Sequence, residues 1–201
     1  VEGAYQFGNW KQTATSARLK QEAFAVAANA GYTFADSFGT PRLALEYCFG
    51  SGDSDPNDGT HGTFDQLYPT GHKFQGYMDL ASWQNIHDVR GIFTIKPTPR
   101  LSLALEGHLF WLADTHDNFY NKGGVARGAG ANANGFGRNP SYSSFVGTEI
   151  NLVAGYALTK FATLEAGYGH FFTGDYVDST WANVGGSADA DWVYMQTVIR
   201  F

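Results

Sequence analysis

The last ten residues of the chain divide between two sides with a period of two. One side carries Val193, Met195, Thr197, Ile199 and Phe201. The other side carries Trp192, Tyr194, Gln196, Val198 and Arg200. Successive side chains of a β-strand point to opposite faces, so this period indicates a strand. The segment is therefore predicted to separate two different environments.

The same alternation recurs along most of the chain. In the segment 100–114, for example, Leu103 and Leu105 alternate with Ala104 and Glu106. Aromatic residues make up 16% of the chain and glycines number 25, as expected for strands joined by turns. Eight strands are predicted, at 1–11, 19–35, 41–51, 87–97, 100–114, 146–159, 161–174 and 191–201.

The connections between these strands alternate between short and long. The short ones are 36–40, 97–99 and 159–160, and the longer ones are 12–18, 52–86, 115–145 and 175–190. Outer-membrane barrels have short periplasmic turns and long outer loops, and a final strand that ends on an aromatic residue is typical of them. The pattern predicts an all-β, antiparallel up-and-down transmembrane β-barrel in the bacterial outer membrane.

In such a barrel the apolar side of each strand faces lipid and the polar side faces the lumen. Leu103, Leu105 and Leu152 are therefore predicted to contact acyl chains. Outward aromatic residues are predicted in two interfacial bands, one of Tyr32, Phe34, Tyr156 and Phe201, the other of Phe49, Trp111, Tyr168 and Phe172. A soluble ligand-binding barrel is the alternative, and it would require the same leucines to form its core.

Composition and charge limit the other possibilities. A length of 201 residues favours one domain, 1–201, and no apolar run reaches the roughly 18 residues of a spanning helix. The net charge of −6 and the lack of a basic stripe argue against nucleic acid. Cys48 is the single cysteine, so no internal disulfide is expected. No signal peptide is visible at Val1, and export requires one. We therefore expect that a signal peptide was removed or that this chain begins partway through a longer precursor.

Residues 50–68, GSGDSDPNDGTHGTFDQLY, resemble the signature of the alginate-export family of outer-membrane barrels. AYQFG, GYTF with PRLALEY, KPTPRLSL and FWLADTHD follow the family in the same order, over nearly all of the chain. Family members are larger barrels, of about 16–18 strands, so the resemblance implies that this chain is the C-terminal part of a larger, porin-like barrel. A self-closed barrel of eight strands is the alternative, with its lumen filled by side chains.

The resemblance implies passage of an acidic polysaccharide through a cation-lined channel. The alternation predicts a lumen lined by Arg90, Lys96, Arg200, Glu46, Glu106, Glu149 and Glu165. Glu2 and His108 also fall on the inward side. Five carboxylates against three cations do not make an anion conduit by charge alone. Glu–Arg pairs across neighbouring strands are the alternative role for these residues.

The acidic segment DSDPNDG at 53–59 offers clustered oxygen atoms, which calcium prefers. Asp53, Asp55, Asn57 and Asp58 are the candidate ligands. Compared with an EF-hand loop, the glycine comes one residue late, and Phe64 stands where a bidentate Glu belongs. A set of Asx turns that stabilises the loop is the other interpretation. No further cofactor is predicted.

Asp114, His116 and Asp117 are the best candidates for catalysis, but no nucleophile signature accompanies them, so the chain is predicted not to be an enzyme. The sequence predicts instead a passive porin or export channel in the outer membrane of a Gram-negative bacterium. Its expected partners are outer-membrane lipid, a hydrophilic solute or acidic polysaccharide, and a periplasmic or oligomeric protein. A small structural or adhesive barrel that acts through its outer loops is the alternative.

Overall fold

The computed structural model describes residues 1–72, 74–128, 136–182 and 186–201. Within these ranges the strands are β1 Glu2–Trp10, β2 Leu19–Thr33, β3 Arg42–Gly50, β4 Thr60–His61, β5 Ile86–Thr98, β6 Leu101–Leu112, β7 Phe145–Ala157, β8 Ala162–Thr173 and β9 Ala190–Ile199. A short helix, α1, spans Asp175–Trp181. No helix among the described residues is long and apolar enough to cross a membrane.

Eight of the strands form one antiparallel sheet in the order β1-β2-β3-β5-β6-β7-β8-β9. Each of these strands pairs with the next one along the chain, as short turns between antiparallel neighbours allow. The predicted strands and their antiparallel, up-and-down arrangement are confirmed. The two-residue strand β4, which the alternation did not predict, pairs in parallel with the outer end of β2.

The sheet is an open arc. Among the described residues, β1 and β9 pair with β2 and β8 on one side and have no strand on the other. The self-closed eight-stranded barrel is therefore wrong for this structure. A barrel of eight strands leaves an interior just wide enough for its own side chains, whereas the concave side of this sheet also holds a loop.

The burial of side chains shows which face of the sheet is which. Leu105 and Leu152 are register partners on the convex face and are 43% and 53% exposed. On the concave face of β7, Glu149 and Asn151, which pair in register with His108 and Glu106, are fully buried at 0% exposure. This is the reverse of a soluble protein, where large apolar side chains are inside. The soluble barrel, which needed these leucines as a core, is excluded.

The aromatic residues predicted for the two interfacial bands lie mostly exposed on the convex face. Tyr32, Phe34, Tyr156, Phe201, Tyr168 and Phe172 are all exposed. Phe49 and Trp111, from the outer band, are half-buried because neighbouring rings of His87 and Phe145 contact them. Exposed rings at both ends of the strands fit the two interfaces of a bilayer.

The described parts of a long loop, residues 62–72 and 74–85, cover much of the concave face, and we call them the inner loop. Near its start, the Asp65 N–H donates to Gln6 Oε1 of β1 over 2.8 Å. In its middle, the His72 ring stacks on Trp192 of β9 with 5.1 Å between centroids. Near its end, Trp83 Nε1 donates to the carbonyl oxygen of Phe49 over 2.9 Å. The inner loop thus reaches from one edge strand to the other and back.

Candidate solute pathway

A row of polar side chains crosses the centre of the concave face. The strand register places Glu46 beside Arg90, Arg90 beside His108, and His108 beside Glu149. Residues opposite each other in neighbouring strands share a face, so the alternation that predicted these positions also brings them together. Three of the predicted lining residues, Glu46, Arg90 and Glu149, belong to this row, and Glu106 lies directly next to it.

Arg90 is held between two of the predicted carboxylates. Its Nη2 lies 2.6 Å from Glu46 Oε1 and its Nη1 lies 3.3 Å from Glu106 Oε2. The Arg90 side chain is only 8% exposed, so these contacts are shielded from water. Charge-assisted pairs of this kind are strong when they are desolvated. The charge of Arg90 is therefore balanced within the wall, as expected for cross-strand pairing.

His108 makes a similar contact one position further along the row. Its Nδ1 lies 3.0 Å from both carboxylate oxygens of Asp88. Asp88 is fully buried and was not among the residues predicted to line the lumen. The sequence alternation could have predicted this position, because Asp88 precedes Arg90 by two residues and therefore lies on the same face of the strand. The centre of the concave face thus holds one more carboxylate than predicted.

Glu149 connects the wall to the inner loop. Its Oε1 accepts hydrogen bonds from the Met78 N–H, at 3.1 Å, and from Asn151 Nδ2, at 2.9 Å. Gly76 lies against this carboxylate with φ of +83°, and a Cβ there would stand 2.5 Å from the Glu149 oxygens. Glycine is thus required at position 76 for two reasons, because the φ angle is positive and because there is no space for a Cβ atom. The wall and the loop are built to fit each other here.

The other predicted lining residues lie away from this centre. Glu165 on β8 accepts hydrogen bonds from Tyr194 Oη at 2.7 Å and from Gln196 Nε2 at 2.8 Å. Lys96 and Arg200 are exposed near the short turns, where their backbone N–H groups donate to Gly39 and Phe161. Five cations lie at this end of the sheet: Arg42, Lys96, Arg100, Lys160 and Arg200. The concave face is therefore basic near the short turns and acidic in its centre.

The acidic segment 53–59 forms successive Asx turns. Asp53 Oδ1 accepts from the Asp55 N–H at 3.2 Å, Asp55 Oδ1 from Asn57 at 3.0 Å, and Asp58 Oδ1 from Thr60 at 2.7 Å. Burial raises the pKa of the Asp53 carboxyl. Among the described residues, no three His, Cys, Asp or Glu side chains form a group arranged to hold a metal. The Asx turns account for the sequence pattern, and calcium binding stays a prediction.

Asp114, His116 and Asp117 separate into two sets of contacts. His116 Nδ1 lies 2.8 Å from Asp114 Oδ1 at the surface. Asp117 is buried instead, and its Oδ2 accepts from Thr63 Oγ1 at 2.5 Å and from the Asp53 N–H at 3.0 Å. Asp117 therefore ties two outer loops together rather than facing His116. That the chain is not an enzyme stays a prediction.

Comparison with known proteins gives one family. The chain matches Alginate export over residues 1–190, which is most of its length. No curated protein matches it. The match confirms the resemblance that the motif at 50–68 indicated, and the open all-β antiparallel sheet agrees with it. The chain therefore belongs to the alginate export family, a family of outer-membrane proteins.

Proposed function

We propose that this chain forms part of the wall of an outer-membrane export or porin-like channel, with its concave face along the solute pathway. The observation that carries the proposal is the inverted burial of the two faces. Leu105 and Leu152 are exposed on the convex face, whereas Arg90, Glu106 and Glu149 are buried on the concave one. A bilayer outside and a polar interior account for both facts.

The open sheet supports a pore wider than eight strands can enclose. Both edge strands, β1 and β9, present backbone groups that no strand among the described residues pairs with. In a bilayer each unpaired backbone group costs several kcal/mol, so an open sheet edge exposed to lipid is not stable. Further strands are therefore expected to close the barrel, as the size of family members implies.

The solute is proposed to be hydrophilic and to enter from the periplasmic end. The cations near the short turns, among them Lys96 and Arg200, would meet an anionic chain first, and this favours a polysaccharide. Further inside, Arg90 is already paired with Glu46 and Glu106. The centre of this wall would therefore guide a solute through polar contacts rather than attract it by positive charge.

Planar lipid bilayers test the proposal directly. The complete protein should give discrete conductance steps after insertion. A Leu152→Arg variant should give few, because a charge on the lipid face opposes insertion. If protease protection proves that the protein is inserted and no conductance is seen, the channel function is refuted. The structural or adhesive role of the outer loops would then take its place.

A further inference from the structure

We infer that Trp192 and Tyr194 on β9 form a stacking site for a sugar ring of a polysaccharide solute, and that two rings of the inner loop cover this site. The inference rests on the proposed channel and names one contact of its solute. We call Trp192 and Tyr194 the aromatic platform. Their rings stack on each other with 4.6 Å between centroids and 28° between planes. The strand register places them on the concave face, beside Gly169 and Gly167 of β8.

The wall of the sheet fixes the Tyr194 ring in place. Its register partner Gly167 is buried, and a Cβ atom at position 167 would overlap the Tyr194 ring. A glycine inside a strand often marks a place where another group approaches the backbone closely. The Tyr194 hydroxyl donates to Glu165 Oε1 over 2.7 Å, which holds the far end of the ring. The ring therefore lies against the sheet and turns its other face toward the interior.

Two rings of the inner loop cover that inner face, and we call them the cap. His72 stacks on Trp192 with 5.1 Å between centroids and 20° between planes. Tyr77 lies over Tyr194 with 6.2 Å between centroids and 17° between planes. These are distances and angles of offset stacking. The platform is thus a surface that already binds flat rings.

The cap is joined to the platform by ring contacts alone. Among the described residues, no hydrogen bond or ion pair links the inner loop to β9. The polar groups of the cap bond within the loop instead, since the His72 N–H donates to Asp79 Oδ1 over 2.8 Å and His72 Nδ1 lies 2.7 Å from the Tyr77 carbonyl oxygen. The loop is anchored to the wall at Met78, whose N–H donates to Glu149. The cap rings can therefore leave the platform without breaking a hydrogen bond to β9.

A sugar ring is suited to take their place. The C–H groups on the faces of a sugar ring are apolar, and they pack against the negative face of an aromatic ring. Stacking uses only these faces, so the hydroxyl and carboxylate groups at the rim of the sugar stay free for polar partners. The site therefore accepts the rings of an acidic polysaccharide, and a solute that displaces the cap regains the stacking contacts that the cap loses.

Calorimetry of the complete protein in detergent micelles tests the inference, with a tetrasaccharide of mannuronate as the probe. A variant with His72→Asn and Tyr77→Ala, which uncovers the platform, should bind the probe about tenfold more tightly, a factor that corresponds to about 1.4 kcal/mol. Adding Tyr194→Leu should abolish this gain. Adding Gly167→Ala instead should do the same, because the new Cβ atom displaces the Tyr194 ring. The matched control is Tyr68→Ala, which removes an exposed tyrosine of the same loop and should change nothing.

Electrophoretic mobility without heating shows that each variant is folded before it is titrated. Should the double cap variant not fold, Tyr77→Ala alone should give a smaller gain in the same direction. An affinity that stays the same or falls when the cap is removed would overturn the inference. So would a gain in affinity that persists with both Tyr194→Leu and Gly167→Ala.

Planar bilayers distinguish the failure of this inference from that of the proposed function. Conductance steps without any gain in affinity on removal of the cap keep the channel and remove the sugar site. A gain in affinity that the platform variants abolish, in an inserted protein without conductance, keeps the sugar site and removes the channel.

Discussion

Replacing Leu152 with arginine tests the orientation of the whole sheet. Leu152 lies near the middle of β7, is 53% exposed, and has Leu105 and Tyr168 as its register partners. An arginine on the lipid face costs about 2–4 kcal/mol at the bilayer midplane and about 0–1 kcal/mol near the interfaces. If the convex face contacts acyl chains, Leu152→Arg should reduce the folding equilibrium constant by a factor of roughly 30 to 1,000.

Leu158 provides a matched control, because it has a similar exposure of 47% and lies six residues further along the chain, directly after the end of β7. At about 3.3 Å per residue the two side chains are roughly 20 Å apart along the strand. A strand tilt of about 45° turns this into roughly 14 Å of depth, about half of the hydrocarbon thickness. Leu158→Arg is therefore expected to cost only about 0–1 kcal/mol.

Both variants are measured by urea titration of the complete protein in phospholipid vesicles, with folding followed by electrophoretic mobility without heating. The expected difference between them is about 1–4 kcal/mol. Equal costs at the two positions would show that depth in a bilayer does not matter, and the assignment of the convex face to lipid would be wrong. The same conclusion would follow if Leu152→Arg folded as well as the unmodified protein.

Three further predictions concern the outer loops and the central row. His61 stacks on Trp10 with 3.8 Å between centroids, and burial lowers its pKa, so the uncharged ring is favoured in the folded loop. The stabilisation of the folded loop by the uncharged ring is complete at pH values above the ordinary histidine pKa of about 6.5, and it is lost as the pH falls through the lowered pKa. Acid should therefore separate the His61 and Trp10 rings and change the fluorescence of Trp10. His61→Phe should abolish this pH dependence. Asn85 is fully buried, and its side chain makes three hydrogen bonds to backbone groups of the loop at 114–118. Asn85→Ala should lower the free energy of opening of the outer loops by about 2–4 kcal/mol, so that limited proteolysis cleaves these loops faster. An unchanged cleavage rate would contradict this role of Asn85. Arg90→Met should destabilise the protein by about 3–5 kcal/mol in urea, and adding Glu46→Gln should recover part of the loss; a double variant no better than the single one would argue against the pair.

The strands could be predicted from the sequence because each one lies between two different surroundings. Leu105 and Glu106 are neighbours in sequence, yet one is 43% and the other 9% exposed. A period of two follows directly from this difference, and it marks the strands, their faces and their order. The same period also predicts that Glu46, Arg90 and Glu149 share the polar side of their strands, and their contacts on the concave face agree with this. The alternation of short and long connections then gave the direction of each strand.

The inner loop could not be predicted in this way, because no period governs it. Its position depends on residues far away in sequence, such as Gln6, Glu149 and Trp192, which contact it one at a time. Within this loop Gly76 and Asn85 adopt positive φ angles of +83° and +49°, and nothing in their sequence neighbourhood requires these angles. Side-chain pairing across a sheet follows from register, but the path of a long loop follows from the sum of many separate contacts.

The charged side chains on the concave face differ between its centre and the end near the short turns. At its centre, Arg90 and His108 are matched by Glu46, Glu106 and Asp88, so these charges stabilise the sheet and are not free to hold a solute. Exposed cations, among them Lys96 and Arg200, remain at the end of the sheet near the short turns. In the channel that we propose, an anionic solute would meet these cations first and would then pass a centre whose charges are already balanced. Balanced charges at the centre suit transport, because strong charge pairing there would hold a polymer instead of letting it pass.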